Sequence, residues 1–297
     1  MGSDQGYDEV GTAAEVSLAV AAKASNENFP VALRVLPRRY RGHLTALYGF
    51  ARLTDDIGDE PLPGYPDATA GQRLAVLDAL EADVHRIYAG DQAPRLDALR
   101  ALQDTVRACA IPESYLTDLI QANRQDQMVT RYASYDDLAD YCRLSANPVG
   151  RIVLHIFGQV SEERTRLSDD ICTALQLAEH WQDVAEDLRN DRIYLPREDM
   201  DRFGCTEDDL AAGSAARHVR DLMEFETKRA MDLLDEGARL TGTLRGAARL
   251  AIAGYVAGGR AALKAIGDGG YDVLRQTPRP AKMTTLTGMV ACYVRGR

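Results

Sequence analysis

Four carboxylates are spaced as chemistry would need them. Asp55 and Asp59 lie in Asp55-Asp56-Ile57-Gly58-Asp59, and Asp183 and Asp187 in Asp183-Val184-Ala185-Glu186-Asp187. On a helix, residues four apart share one face one turn apart, and like charges placed there repel. A bound cation removes that conflict. Hard oxygen ligands without His or Cys suit Mg²⁺, which keeps several waters and is completed by substrate phosphates. An acidic chain can thereby hold an anionic diphosphate. The alternative is that each segment is a solvated acidic face, as on many surface helices.

The elements that must present these groups are helices. One is predicted over residues 41–60, where Leu44, Tyr48, Arg52, Asp55 and Asp59 fall within an arc of roughly 80°. A second is predicted over residues 163–190. There Gln176, Glu179, Asp183, Asp187 and Asn190 share a similar arc of roughly 80°, and Leu177, Trp181, Val184 and Leu188 form a separate apolar stripe about 100–160° away. No proline occurs between Val149 and Leu195 or between Arg197 and Thr277, and helix formers dominate both stretches. The fold class read from this is all-α. Turn chemistry predicts breaks at residues 60–71, 90–94, 111–112, 133–134, 196–204, 213–214, 241–243 and 267–270. Without a linker or a fixed-period repeat, a single catalytic domain over residues 26–297 is expected, preceded by a partly disordered extension over residues 1–25.

Bulk composition narrows the function classes. The net charge of −10 argues against a nucleic-acid partner, which requires clustered Lys and Arg, and against purely electrostatic membrane attachment. Hydrophobic residues make up 45% of the chain, enough for a sizeable core. Five isolated cysteines suggest neither a disulfide framework nor a zinc site, and fit a reducing, cytoplasmic setting. No secretory signal or transmembrane span is read. The Glu-x-x-His pairs of a di-iron bundle are missing. The five histidines read as structural or surface, with His180 nearest the acidic face. A non-catalytic scaffold or cation binder with acidic faces is the competing class.

The residues around both segments resemble the squalene and phytoene synthase family. Tyr48-x-x-x-Arg52-x-x-Asp55-Asp56-x-x-Asp59 looks like its first aspartate-rich motif. The run from Gln176 through Asp183-Val184-Ala185-Glu186-Asp187 to Asn190-Asp191-Arg192-Ile193-Tyr194-Leu195-Pro196 looks like its second. Within the family the chain is most similar to bacterial hydroxysqualene synthases. That similarity is carried by Glu27-Asn28-Phe29-Pro30-Val31-Ala32, Arg124-Gln125-Asp126-Gln127, Tyr141-Cys142-Arg143-x-Ser145-Ala146-Asn147-Pro148-Val149-Gly150 and Tyr255-Val256-Ala257-Gly258-Gly259-Arg260. It spans residues 26–280. One position departs from the pattern: Glu179 stands where the family usually has Asn.

The resemblance implies an isoprenoid synthase fold, with helices around a central hydrophobic cavity and the motifs at its mouth. By family pattern Asp55, Asp59, Asp183 and Asp187, with Glu179, would hold Mg²⁺ ions. Arg52 and Arg192 would bind phosphate, with Arg52 as an ion-pair partner of Asp55 or Asp56 the alternative. Tyr48, Tyr141 and Tyr255 would line the pocket, their rings able to stabilise a carbocation. Asn28 and Phe29 would contact substrate, and Gln176 and Asn147 would position water. The implied reaction converts presqualene diphosphate and water to hydroxysqualene and diphosphate. Presqualene diphosphate or phytoene synthesis uses the same aspartates. The implied setting is cytoplasmic, at the inner face of the membrane, with peripheral membrane contact and enzymes acting before and after it in squalene formation as partners.

Overall fold

Capping residues and prolines cut the chain into helices. The structure, a computed structural model, describes residues 36–62, 67–90, 93–278 and 292–293. The predicted extension over residues 1–25 and the expected substrate contacts Asn28 and Phe29 lie outside these. Among the described residues there are twelve helices and no strand, and Arg131 and Ile193 form an isolated parallel bridge. None of these helices is long and apolar enough to cross a membrane. The all-α expectation holds.

The chain divides into two compact units, each with its own acidic segment. The first takes the chain up to Met128 together with Arg151–Val160. It contains α1 (Arg38–Asp59), α2 (Ala70–Ala89), α3 (Asp97–Cys109) and α4 (Glu113–Asp126). Helix α1 buries Leu44, Leu47, Phe50, Leu53 and Ile57 and packs on α2, α3 and α4. Thr69 and Gln72 form a capping box at the start of α2, and Gly90, with φ of 75°, ends it in the left-handed conformation. The buried carboxylate of Asp83 accepts from the backbone N–H groups of Arg95 and Leu96 and from the Arg86 guanidinium. Residues 94–96, just before α3, are held by Asp83 and by Arg100, which donates to the Pro94 and Arg95 carbonyls at 3.0 Å.

The second unit takes Val129–Gly150 and the chain from Ser161 onward. It contains α5 (Tyr135–Ser145), the start of α6 (Asn147–Ile156), α7 (Glu162–Arg189), α8 (Arg197–Phe203), α9 (Glu207–Leu210), α10 (Arg217–Gly237), α11 (Leu240–Thr243) and α12 (Gly246–Asp268). Helices α7, α10 and α12 pack on one another through their apolar faces. Glycine permits the closest approaches. A Cβ on Gly237 of α10 would lie 2.8 Å from the backbone nitrogen of Ile171 and 2.9 Å from the carbonyl of Leu167, both on α7. A Cβ on Gly259 of α12 would lie 2.6 Å from Leu175 and 2.9 Å from Leu234.

Two expected breaks are themselves helical. Residues 196–204 contain α8, because Pro196 occupies the N-cap and Gly204, with φ of 67°, closes the turn; the turn-forming residues were helix caps. Thr241–Thr243 similarly falls inside the one-turn α11. Gly237→Ala is expected to destabilise the fold by about 1–3 kcal/mol, since the added methyl meets immovable backbone. Gly42 has nothing within 4 Å of a built Cβ, so Gly42→Ala should stabilise by up to about 1 kcal/mol. Denaturant midpoints of the two variants should move in opposite directions.

Candidate functional site

The first acidic segment ends α1. Asp55 and Asp59 are exposed, while Asp56 is half-buried. Arg52 Nε pairs with Asp56 at 2.9 Å, and its Nη2 lies 3.8 Å from Glu60. Of the two roles open to Arg52, the ion pair is therefore present, and made with Asp56. Gly58 has a packing reason: a Cβ there would collide with Asn123 Oδ1 of α4. Across that close approach Asn123 Nδ2 reaches Asp55 Oδ1 at 3.5 Å, and Gln127 Nε2 donates to the Gly58 carbonyl at 3.2 Å. Arg124 is bound to Asp78 and Glu81 of α2 at 2.6 and 2.8 Å. The Arg124-Gln125-Asp126-Gln127 run thus clamps α4 beneath the first motif, with Asn123, one residue outside the run, touching the aspartate itself. Tyr48 is half-buried on the same helix.

The second acidic segment sits near the end of α7, and the helix is not regular there. Asp183 has φ −107° and ψ 15°, a break in helical geometry inside the segment of the kind that clusters at functional sites. Glu179 is exposed, whereas Asp183 and Asp187 are half-buried. Asn190 lies beyond the last helical residue as the C-cap, so the acidic arc does not continue through it. The Asp187 carbonyl accepts from the backbone N–H groups of Asn190 and Arg192, both at 2.9 Å. Its Oδ2 is buried with no hydrogen-bond partner among the described residues. Burial, then Asp183, Glu179 and Glu186, push the Asp187 carboxyl up to about 7 against the opposing effect of Arg192. This is a carboxylate without enough positive charge.

Around it the second unit gathers several expected residues. A pocket is lined by His180, Val184, Asp187, Arg192, Ile193, Tyr194 and Leu195. His180 stacks on Tyr194 with ring centroids 3.6 Å apart and planes at 15°. Tyr141 and Tyr132 complete an aromatic wall, with Tyr141 5.8 Å from Tyr194 and 6.2 Å from His180. Burial and Arg192 hold the His180 imidazole down to about 3, hence neutral. Gln176 Nε2 lies 3.1 Å from His180 Nε2. Asn147 is buried, and its Oδ1 accepts from Thr173 Oγ1 at 3.0 Å. Tyr255 lies half-buried on α12, its phenol pushed upward by burial and by Cys172.

The loop after α7 is braced by residues 129–135. Arg131 donates to the Asp191 carboxylate and carbonyl at 2.9 and 2.6 Å and to both Glu207 oxygens at 3.0 Å. Ile193 N donates to the Thr130 carbonyl and Arg197 N to that of Tyr132, each at 2.9 Å. Asp191 takes the left-handed conformation, φ 57°, to make this turn. Sequence reasoning missed Arg131, Tyr132 and Asn123, which lie far from the motifs in sequence. The signal available was Tyr132-Ala133-Ser134, an aromatic residue just before a helix-capping serine.

Three comparisons bear on this geometry. The family model described as squalene/phytoene synthase matches residues 22–287. A hydroxysqualene synthase from Zymomonas mobilis is 35% identical over 212 residues, covering 70% of this chain and 68% of that protein. A phytoene synthase from Mycobacterium bovis is 32% identical over 221 residues, 73% of this chain and 70% of the relative. Among solved structures, that of squalene synthase HpnC from Alicyclobacillus acidocaldarius is similar at a TM-score of 0.77 and 44% identity, covering 86% of this chain and 94% of that one. With two acidic segments set on helices in an all-α fold, and a family match over most of its length, the chain belongs to the squalene/phytoene synthase family.

Proposed function

We propose that the chain is a hydroxysqualene synthase, converting presqualene diphosphate and water to hydroxysqualene and diphosphate with Mg²⁺. The observation that carries the diphosphate chemistry is Asp187: a half-buried carboxylate, pushed up to about 7 by burial and then by neighbouring acids, with an oxygen that finds no donor among the described residues. The donor set fits Mg²⁺, being all oxygen. Among the described residues no three His, Cys, Asp or Glu side chains converge as a ready cage. Mg²⁺ is usually held by one or two carboxylates, with waters and substrate phosphate completing it. Asp55 and Asp59 are assigned as metal ligands of the first unit, and Asp183 and Asp187 as those of the second, where the exposed Glu179 is an added acid. Bound Mg²⁺ supplies Lewis-acid neutralisation of the leaving diphosphate.

The chain's own residues do the rest. Arg192, beside Asp187 in the pocket, is assigned to donate charge-assisted hydrogen bonds to phosphate. Arg52 shares its charge with Asp56 and has less to give. Tyr48, Tyr141 and Tyr255 are assigned, by the family pattern, to offer their electron-rich rings to a carbocation. Asn147 is assigned to the captured water, its amide direction fixed by the bond from Thr173. Similarity to a hydroxysqualene synthase supports the choice of substrate. The comparable similarity to a phytoene synthase keeps a second reading, condensation of two prenyl diphosphates. Because substrate and product are long lipids, the reading also places the enzyme in peripheral contact with a membrane at its cytoplasmic face.

Presqualene diphosphate and farnesyl diphosphate supplied separately with Mg²⁺, with and without NADPH, should separate the readings. Hydroxysqualene from the first, unchanged by NADPH, is the expected product. A triterpenoid diphosphate from farnesyl diphosphate alone would select the condensation instead, and Asp183→Ala should abolish either turnover while the protein stays folded.

The metal assignment has a stability signature. The Asp187 carboxyl is raised in the folded protein above its ordinary value of 3.8 to about 7. Its contribution is therefore fully present below pH 3.8 and is lost as pH rises toward 7. At about 1.4 kcal/mol per pKa unit, the loss reaches a few kcal/mol. In EDTA, Asp187→Asn should match the parent at low pH and melt higher at pH 8. Added Mg²⁺ should raise the parent's melting temperature at pH 8 and leave Asp187→Asn nearly unmoved.

A further inference from the structure

His180 is absorbed neither by the metal assignment nor by the carbocation pocket, yet it is buried at the second motif. Its two ring nitrogens face different groups. Nε2 lies 3.1 Å from Gln176 Nε2, one helical turn back. An amide NH₂ can only donate, so the imidazole nitrogen facing it accepts. A neutral ring that accepts at Nε2 carries its proton on Nδ1. Nδ1 in turn lies 3.9 Å from Asp187 Oδ2, the buried carboxylate oxygen that has no hydrogen-bond partner among the described residues. At that separation the N–H acts on the carboxylate as an oriented dipole rather than through a hydrogen bond. The ring cannot turn away from this pose, because it is stacked 3.6 Å from Tyr194, whose loop is pinned by Ile193 N to the Thr130 carbonyl.

We propose that His180 is a positioning residue for Asp187: Gln176 fixes its tautomer, Tyr194 fixes its ring plane, and its Nδ1–H aims the carboxylate at the divalent cation. The inference rests on the metal assignment made for the second motif. Carboxylates and imidazoles next to a metal are commonly held this way by an outer group, and loss of that group costs roughly 10- to 100-fold in metal affinity. His180 stays uncharged in this role. A cationic ring would compete with the metal for Asp187; a neutral one directs an oxygen without neutralising it.

Two measurements on the purified protein test it. Long-range ¹H–¹⁵N spectra of the metal-free protein should show His180 protonated at Nδ1 alone, whatever the substrate proves to be. Titration of Mn²⁺ in the presence of inorganic pyrophosphate, followed calorimetrically, should give an affinity roughly 10- to 100-fold weaker in His180→Phe, which keeps a ring to stack on Tyr194. His180→Asn, whose side-chain amide can place a donor near the Nδ1 position, should recover most of that loss. Gln176→Leu should keep the ring and yield a mixture of tautomers, and serves where His180→Phe does not fold. A wild-type proton on Nε2, or a folded His180→Phe that binds Mn²⁺ as tightly as the parent, would overturn the inference while leaving the metal assignment intact. A parent protein that binds no Mn²⁺ with pyrophosphate would overturn both.

Discussion

The second unit is organised around an electrostatic conflict that the polypeptide does not resolve by itself. Glu179, Asp183, Glu186 and Asp187 lie within three turns at the end of α7, and Asp187 is drawn largely out of water. Arg192 opposes the resulting rise in its carboxyl but does not cancel it. In a medium of low dielectric, repulsion between like charges is several times stronger than at a solvated surface. A helix with only this sequence would relieve the strain by fraying its last turns into solvent. Here it does not fray, so other contacts must hold the turn in place.

Those contacts come from segments remote in sequence. The break at Asp183 lets the final turn leave the axis of α7, and the Asp187 carbonyl takes two backbone N–H groups as the chain reverses. Residues 129–135 run alongside the loop, and Arg131 bridges Asp191 to Glu207 on α9. Beyond the loop, Arg229 of α10 pairs with Asp199 of α8 at 2.8 Å and stacks over Tyr135 and Phe225. Glu226 is buried beside that pair, accepting from Arg229 Nη1 at 3.2 and 3.3 Å, and burial pushes its carboxyl up to about 8. The bracing of the motif is polar and largely neutralised, whereas the motif itself is not.

Much of this was legible from the sequence, and the reasons differ by residue. The extents of α1 and α7 follow from proline placement and helix-forming composition, which act locally and so can be read locally. The repulsion between acids four apart is likewise a local fact. What could not be read is where the regular helix stops obeying its period. The arc drawn through Asn190 assumes 100° per residue, but Asp183 breaks the helix and Asn190 only caps it. Pro196 and Gly204 look like loop residues by type, yet serve as the two caps of α8. The partners of the site residues were invisible for another reason: Thr173 to Asn147, Asn123 to Asp55 and Arg131 to Asp191 are pairings between distant positions, set by packing. Glu179 shows the limit in the other direction. It stood out as a departure from the family pattern, and it proves exposed, where a carboxylate in place of an amide costs little.

The two acidic segments share a spacing but not an environment. On α1, Asp55 and Asp59 are exposed and the acid between them, Asp56, is matched by Arg52 at 2.9 Å. Water and a counter-charge make that segment tolerable as it stands. On α7, Asp187 has a buried oxygen without a donor, and the nearest imidazole is neutral. Equal numbers of aspartates therefore do not mean equal affinity for a cation. The free energy released by neutralising a carboxylate is larger where solvent has already been removed. By that argument a divalent ion would gain more from the Asp187 carboxylate of the second unit than from the exposed Asp55 or Asp59 of the first.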